Sequence, residues 1–467
     1  MNKFISGAVT RRTALAAMGS MIAVPDIARG GPRARHRPNI VFIMADDMGH
    51  ADLGCYGSRN QRTPVIDSLA ARGLKFDNAY ANACVCSPTR LALLTGRYQG
   101  RFRMGLEEPI AFNGHELTLP RGTKTLPGLL RQQGYRTALI GKWHLGELPA
   151  SSPIDHGYDY FFGVHSGGTD YFAHATTING HPMGGLFENR EPIDRPGYLT
   201  DLFGEMAVAQ VRAAGKGGQP FFLSLHFTAP HWPWQGPDDA ATGSATADPR
   251  QMDGGNLNTY ARMMESMDAN VGRVLDELTR LGLDDDTIVL FTSDNGGERF
   301  SDSWPLTGMK GELLEGGIRV PLLVRWPGQV PQGATSAQVA MSMDALPTLL
   351  AAAGGDPASV EGLDGIDLLP FFRDPARVAE RMVFWRHKAG DQIAVRSGAW
   401  KYLRLHGSEY LFDLSADERE RADRKAAMPE KLAELRAAHT RWSAEMLPYP
   451  QQSYSEETVG KFADRPL

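Results

Sequence analysis

Apolar runs that stop abruptly at polar residues set the organisation of this chain. Ile40-Val41-Phe42-Ile43-Met44-Ala45 halts at Asp46-Asp47, and Thr287-Ile288-Val289-Leu290-Phe291-Thr292 halts at Ser293-Asp294-Asn295-Gly296. Phe221 to Leu225 exits into His226 and then His231. Thr137 to Ile140 exits into Gly141-Lys142-Trp143-His144-Leu145-Gly146. An unbroken apolar run of strand length predicts a strand buried on both faces, as in parallel sheets.

Between these runs, apolar positions recur at helical spacing. Thr63 to Arg72, Thr125 to Gln133 and Asn258 to Leu281 read as helices. The last carries Met263, Met264, Met267, Val271, Val274, Leu275 and Leu278 on one side, a face read as core. Alternating strands and helices predict an α/β fold with helices on both faces of a sheet. In such sheets a site forms beyond the carboxyl ends of the strands, so the four polar exits are expected at one edge. Residues 150 to 200 and 229 to 258 are rich in Gly, Pro, Asn and aromatics and read as long loops over that edge. Near residue 375 the pattern changes. Arg381 to Trp385, Gln392 to Arg396, Lys401 to Leu405 and Tyr410 to Leu414 read as short antiparallel strands. Pro429 to Met446 reads as an amphipathic helix, with Leu432, Leu435, His439 and Trp442 on one stripe. The expected division is a leader and linker (1–37), a main domain (38–375) and a small C-terminal domain (376–467).

The chain of 467 residues is 42% hydrophobic and 22% charged, which suits a large buried core. A net charge of -5 gives no footprint for nucleic acid or an anionic membrane. Three cysteines are too few for a disulfide scaffold, although a Cys55–Cys84 bridge is left open. Thr10-Arg11-Arg12-Thr13-Ala14-Leu15, a short mild apolar run to Val24 and a basic linker from Arg29 to Arg37 look like a twin-arginine export signal. The run is too short for a permanent membrane anchor. Export through a twin-arginine translocase implies a periplasmic or secreted protein.

The stretch Cys84-Val85-Cys86-Ser87-Pro88-Thr89-Arg90-Leu91-Ala92-Leu93-Leu94-Thr95-Gly96-Arg97 carries the most chemistry. Pro88 suits a first helical turn and Gly96 a helix stop. Cys86 then lies at or just before the helix start, where free amide N–H groups favour anions. Arg90, four residues on, shares its face. The plainer reading is a buried cysteine before an ordinary helix.

Cys86, Pro88 and Arg90, followed by Leu94-Thr95-Gly96-Arg97, resemble the Cys-x-Pro-x-Arg signature of the sulfatase family, although Thr89 stands where Ser or Ala is commoner. Three further segments resemble sulfatase motifs in the family's chain order. They hold Lys142 and His144 (Gly141 to Gly146), His231 (Ala229-Pro230-His231-Trp232-Pro233-Trp234) and Lys310 (Thr307 to Glu312, then Glu315 to Pro321). The resemblance covers the chain from about residue 38 onward. It implies an alkaline-phosphatase-like fold: a large mixed, mostly parallel sheet sandwiched by helices, with a smaller C-terminal antiparallel sheet plus helix. It also implies that Cys86 is oxidised to Cα-formylglycine by a formylglycine-generating enzyme.

Asp46, Asp47, Asp294 and Asn295 offer only oxygen ligands. These suit Ca2+ first and Mg2+ second, and disfavour Zn2+. By resemblance they hold one Ca2+ together with residue 86. The resemblance also assigns roles in the hydrolysis of organic sulfate monoesters. A hydroxyl of the hydrated aldehyde at position 86 attacks sulfur, with Arg90 and the metal stabilising it. Lys142 and Lys310 neutralise sulfate oxygens, His231 or Lys310 protonates the leaving oxygen, and His144 accepts the second hydroxyl's proton. Aryl and carbohydrate sulfates, as in arylsulfatases and N-acetylgalactosamine-6-sulfatases, fit these motifs equally. Two rivals stay open: a phosphate or phosphonate hydrolase of the same superfold, and a glycan- or anion-binding protein with unmodified Cys86. His226, Asp170, His174, His181, Trp232 and Trp234 are weaker candidates for leaving-group contacts. Asp155-His156-Gly157-Tyr158-Asp159 resembles a sulfatase segment read as structural.

Overall fold

The computed structural model describes residues 37–110, 117–178, 181–239 and 254–451. The export signal and its cleavage point lie outside the described residues, as does much of the expected loop at 229–258. From Arg37 onward the chain forms one compact unit.

Strand β1 (Asn39–Ala45) runs through the middle of a ten-stranded sheet. Its alternate residues face opposite layers: Val41 and Ile43 join one core cluster, while Ile40, Phe42 and Met44 join another. This two-sided burial is why the strand reads as a continuous apolar run. Four further strands continue the parallel arrangement: β2 (Arg136–Lys142), β3 (Tyr160–Val164), β4 (Phe221–His226) and β5 (Thr287–Ser293). In space the order is β5-β1-β4-β2-β3, with every neighbouring pair parallel. Antiparallel neighbours flank this block, Leu322–Arg325 beside β5 and Leu186–Glu188 beside β3. The sheet is therefore mixed with a parallel centre, as expected.

Helices cover both faces. Pro64–Ala71, Leu199–Gly215 and the long helix Leu257–Arg280 pack on the side of Val41 and Ile43. The methionines at 263, 264 and 267 are buried there, as core. Helix α1 (Cys86–Thr95), Leu126–Gln132 and Ala345–Ala352 pack on the other side. Helix α1 ends at Gly96, whose φ of 68° lies in the left-handed region that glycine adopts without a side-chain penalty.

The reading of 150 to 200 as long loops is corrected. That region holds β3, the edge strands Leu186–Glu188 and Glu191–Ile193, a hairpin of Ala175–Ile178 with His181–Gly184, and the start of the helix Leu199–Gly215. Strands of three or four residues are too short to show a periodicity.

The C-terminal part is a four-stranded antiparallel meander. It comprises β6 (Met382–His387), β7 (Gln392–Ser397), β8 (Trp400–Leu405) and β9 (Ser408–Asp413). Helix α2 (Pro429–Ala444) covers one side, placing Leu432 and Leu435 against Val395, Tyr402 and Leu411. Val383, Trp385 and Leu403 pack instead with Tyr80, Cys84 and Ala92 of the main body. Cys55 and Cys84 both carry free thiols, so the bridge left open by the sequence is not formed. No helix among the described residues is long and apolar enough to cross a membrane.

Candidate active site

The carboxyl ends of β1, β2, β4 and β5 point to one edge, and the start of α1 lies beside them. Asp46 and Asp47 follow β1; Asp294 and Asn295 follow β5. The two exits are tied together: the Asp47 N–H donates to Asp294 Oδ1 at 3.2 Å, and Asn295 Nδ2 donates to Asp47 Oδ1 at 2.7 Å. Parallel pairing of β1 with β5, in register from Asn39 opposite Thr287 to Ala45 opposite Ser293, places both doublets side by side. Asp47 adopts φ 61° and His144 φ 57°, left-handed conformations costly for residues with a Cβ and concentrated at functional sites.

Three cations meet these acids. Lys142 Nζ lies 2.5 Å from Asp46 Oδ2, Lys310 Nζ 2.6 Å from Asp47 Oδ2, and Arg90 Nη2 2.8 Å from Asp294 Oδ2 and 3.6 Å from Asp46 Oδ1. Arg90 is oriented further by donating from Nη1 to the Lys142 carbonyl at 3.1 Å. All these groups are buried. Desolvating an ion costs several kcal/mol, so such a cluster is poor economy for stability alone.

The fit to a cation can be read from the acceptors. Asp46 Oδ1 and Asn295 Oδ1 are buried and accept no hydrogen bond from any described residue. Ligand atoms of Asp46, Cys86 and Asp294 lie within 4.8 Å of one another, as do those of Asp46, Asp47 and His231. The donor set fits a hard divalent ion. Burial and the Asp46 charge push the Asp294 carboxyl up to about 7 against the pull of Arg90. Asp47 goes the other way: burial would raise it, but Lys310, His231 and Lys142 together hold it well below the usual carboxylate range.

Cys86 opens α1, and its Sγ stands where a carbon-bound oxygen would be after oxidation. Burial pushes its thiol up to about 11 against the pull of Lys142. The residue is therefore a neutral thiol near pH 7 and a weak nucleophile as it stands. Its Sγ lies 3.3 Å from His144 Nδ1, while His144 Nε2 lies 3.0 Å from the Ile110 carbonyl. A carbonyl only accepts, so Nε2 carries the proton and Nδ1 faces residue 86 as an acceptor. Burial first, and Lys142 next, hold His144 neutral, well below the ordinary histidine value.

His231 shows the opposite tautomer. Its Nδ1 sits against the Trp232 carbonyl and so carries the proton; Nε2 faces Asp47 Oδ2 at 3.5 Å. Burial, reinforced by Lys310, lowers it to about 3.

The residues singled out from sequence, Asp46, Asp47, Cys86, Arg90, Lys142, His144, His231, Asp294, Asn295 and Lys310, are thus brought into one cluster. One detail differs. Lys142 and His144 are expected on one side of an extended segment; both side chains do reach the cluster, but β2 ends at Lys142 and His144 turns into the left-handed region. The intervening Trp143 is fixed by His156, stacked 5.7 Å away, and by the edge of Tyr158. The Asp155–Asp159 segment therefore buttresses the turn that carries both residues.

Apart from His226, which lies beside Arg90 and the Lys142 backbone, the described weaker candidates are held by partners outside the cluster. Asp170 accepts hydrogen bonds from the Phe172 and Ala173 amides and from Gln235, and His174 bonds the Gly197 carbonyl. Trp232 and Trp234 are buried in the core rather than presented to a ligand. His226 is buried against Phe42. The side chain of His181 lies outside the described residues. Sequence reasoning missed Glu298, whose buried carboxylate lies 3.9 Å from Lys310 Nζ and accepts no hydrogen bond from any described residue. Its only signal was its place in Asp294-Asn295-Gly296-Gly297-Glu298. The Ile110 carbonyl was also missed, because a backbone atom leaves no trace in residue type.

Comparison with known proteins follows the same lines. Residues 38–355 match the Sulfatase family profile. The N-acetylgalactosamine-6-sulfatase of Mus musculus is 33% identical over 395 residues, spanning 80% of this chain and 73% of that protein. The arylsulfatase A of Bos taurus is 35% identical over 399 residues, spanning 79% and 75%. Among solved structures, Ps i-CgsB in complex with k-i-k-neocarrahexaose superposes with a TM-score of 0.78 at 30% identity, covering 89% of this chain and 95% of that one.

Proposed function

This chain belongs to the sulfatase family, the sulfuric ester hydrolases, and on that premise we propose that it hydrolyses a carbohydrate sulfate monoester with a formylglycine at position 86 and one bound Ca2+. The observation that carries this reading is the convergence at residue 86 of an oxygen-only acid cluster with orphaned acceptors and three buried cations. Asp46, Asp47, Asp294, the Asn295 amide oxygen and residue 86 would hold the ion. When present, calcium would neutralise ester oxygens, and the hydrated aldehyde would supply the attacking oxygen and a route for releasing sulfate by reverting to aldehyde.

The side chains divide the remaining work. Arg90, locked between Asp294 and the Lys142 carbonyl, keeps positive charge one turn from residue 86. Lys142 and Lys310 provide ammonium groups for sulfate oxygens in a site from which water is largely excluded, where such charges act strongly. His144 Nδ1, unprotonated and facing residue 86, accepts a proton there. The negative charge of a bound sulfate would raise its basicity. Between the two candidates for protonating the leaving oxygen, the tautomers favour Lys310. His231 spends its one proton on the Trp232 carbonyl, so Lys310, held as an ammonium by Asp47 and Glu298 against the effect of burial, is the donor.

The carbohydrate class is favoured because the N-acetylgalactosamine-6-sulfatases and the neocarrahexaose-bound neighbour are named for sugars; arylsulfatase A, at similar identity, supports the aryl alternative. Turnover of nitrophenyl sulfate against nitrophenyl phosphate tests the reaction, and preference for phosphate would overturn it. A panel of sulfated sugars then sets the substrate. The N-terminal sequence supports twin-arginine export after maturation by a formylglycine-generating enzyme. Cell fractionation tests this, with retention in the cytoplasm as the contrary result.

A further inference from the structure

Lys310 sits in a tight turn. The Glu312 N–H donates to the Met309 carbonyl at 3.0 Å, and Gly311, third in the turn, has φ 85°. A positive φ at that position is what a type II turn requires, so glycine follows the lysine for a conformational reason. The turn is tied down at three points. The Lys310 N–H donates to the Gly297 carbonyl at 3.0 Å, just past the Asp294-Asn295 exit. The Gly311 N–H donates to the Cys84 carbonyl at 2.9 Å, two residues before Cys86.

The third tie comes from the C-terminal sheet. Gln392 opens β7 and is buried. Its Nε2 donates to the Gly311 carbonyl at 2.8 Å and to the Ala389 carbonyl at 3.0 Å, and its Oε1 accepts the Leu313 N–H at 2.8 Å. Both amide donors and the acceptor are used, and two of these bonds grip the backbone on either side of Glu312. The first two ties fix the turn to the strand exit and the nucleophile loop. Gln392 fixes its other side, which sets where the Lys310 side chain leaves the turn.

We propose that Gln392 is a positioning residue for Lys310, so that the C-terminal sheet takes part in protonating the leaving group. The inference rests on Lys310 being the proton donor. It makes no substrate contact of its own. A misplaced donor harms esters of weakly acidic alcohols and spares those whose leaving group departs unaided.

The experiment compares phenyl sulfate with nitrophenyl sulfate for calcium-loaded, matured full-length enzyme. Gln392→Met keeps side-chain length and loses all three hydrogen bonds. Gln392→Glu keeps only the acceptor for Leu313 and provides a near-isosteric second variant should the first fold poorly. Lys310→Ala is run alongside. The expected result is a loss of about tenfold in kcat on phenyl sulfate for Gln392→Met, a smaller loss for Gln392→Glu, and a change within about twofold on nitrophenyl sulfate, with KM little moved. Equal losses on both esters would mark Gln392 as merely structural and overturn the proposal, as would no loss on either. If Lys310→Ala itself shows no dependence on leaving-group acidity, the donor assignment fails. If Lys310→Ala shows it and neither Gln392 variant does, the positioning role alone fails.

Discussion

Glu315, Glu420 and Lys401 form a buried ionic cluster beneath the C-terminal sheet; Asp46, Asp47 and Asp294 form another at the ends of the parallel strands. In residue types the two are alike. In the first, Lys401 Nζ lies 2.9 Å from Glu315 and 2.8 Å from Glu420, Tyr80 donates to Glu315 at 2.7 Å, and the Glu315 N–H donates to Glu420 at 2.6 Å. Both carboxylates are paired with the one ammonium, although Glu420 Oε1 makes an ion pair without a hydrogen bond and Glu420 itself adopts φ 55°. In the second, Asn295 Oδ1 accepts no hydrogen bond from any described residue, Asp46 Oδ1 has only Arg90 at 3.6 Å, and ligand atoms of Asp46, Cys86 and Asp294 lie within 4.8 Å of one another. Buried charge alone does not mark a catalytic centre. What sets the second cluster apart is that its carboxylate oxygens converge with a thiol on one point.

The comparison can be broken by substitutions on either side. The largest effect is expected for Cys86→Ala, which should reduce kcat/KM by at least about 10⁴-fold while leaving the melting temperature nearly unchanged. Asp294→Ala should lower kcat by about 10²- to 10³-fold and abolish stoichiometric calcium in metal analysis of the purified protein. Loss of activity with calcium retained would place the ion elsewhere.

In the C-terminal cluster the response should be in stability. Lys401→Met strands two buried carboxylates and should cost about 3–5 kcal/mol in urea unfolding. Turnover of nitrophenyl sulfate per folded molecule should stay within about threefold of wild type, since nitrophenolate leaves without a donated proton. The smallest effect concerns pH. Burial raises the Glu420 carboxyl to about 7, with Lys401 opposing and Glu315 adding. A folded-state value above the ordinary 4.5 means that its stabilising contribution is full below that pH and is lost as pH climbs through 7. Glu420→Gln, neutral throughout, should flatten that decline in unfolding midpoints between about pH 5 and pH 8.

The parallel centre of the fold was legible because burial on two faces leaves an unbroken apolar run, as in Ile40 to Met44. The short strands at 186–188 and 191–193 were not, since three residues carry no period and Gly184-Gly185 before them and Pro192 within the second read as loop. The cluster was legible where chemistry resides in side-chain type, as with Asp46, Lys142 and Lys310. It was illegible where a backbone carbonyl does the orienting, as at Ile110. It was illegible again where the partner lies far along the chain, as Gln392 does from Lys310. Nothing in the residues around 392 indicates what that amide holds.

The central claim is that residue 86 acts as an aldehyde and not as a thiol, and tryptic mass spectrometry of the Phe76–Arg90 peptide tests it most directly. Enzyme made alongside its maturation system and shown to turn over nitrophenyl sulfate should yield that peptide with formylglycine at position 86, in proportion to its specific activity. Fully active enzyme whose peptide carries an intact, alkylatable thiol at Cys86 would contradict the account.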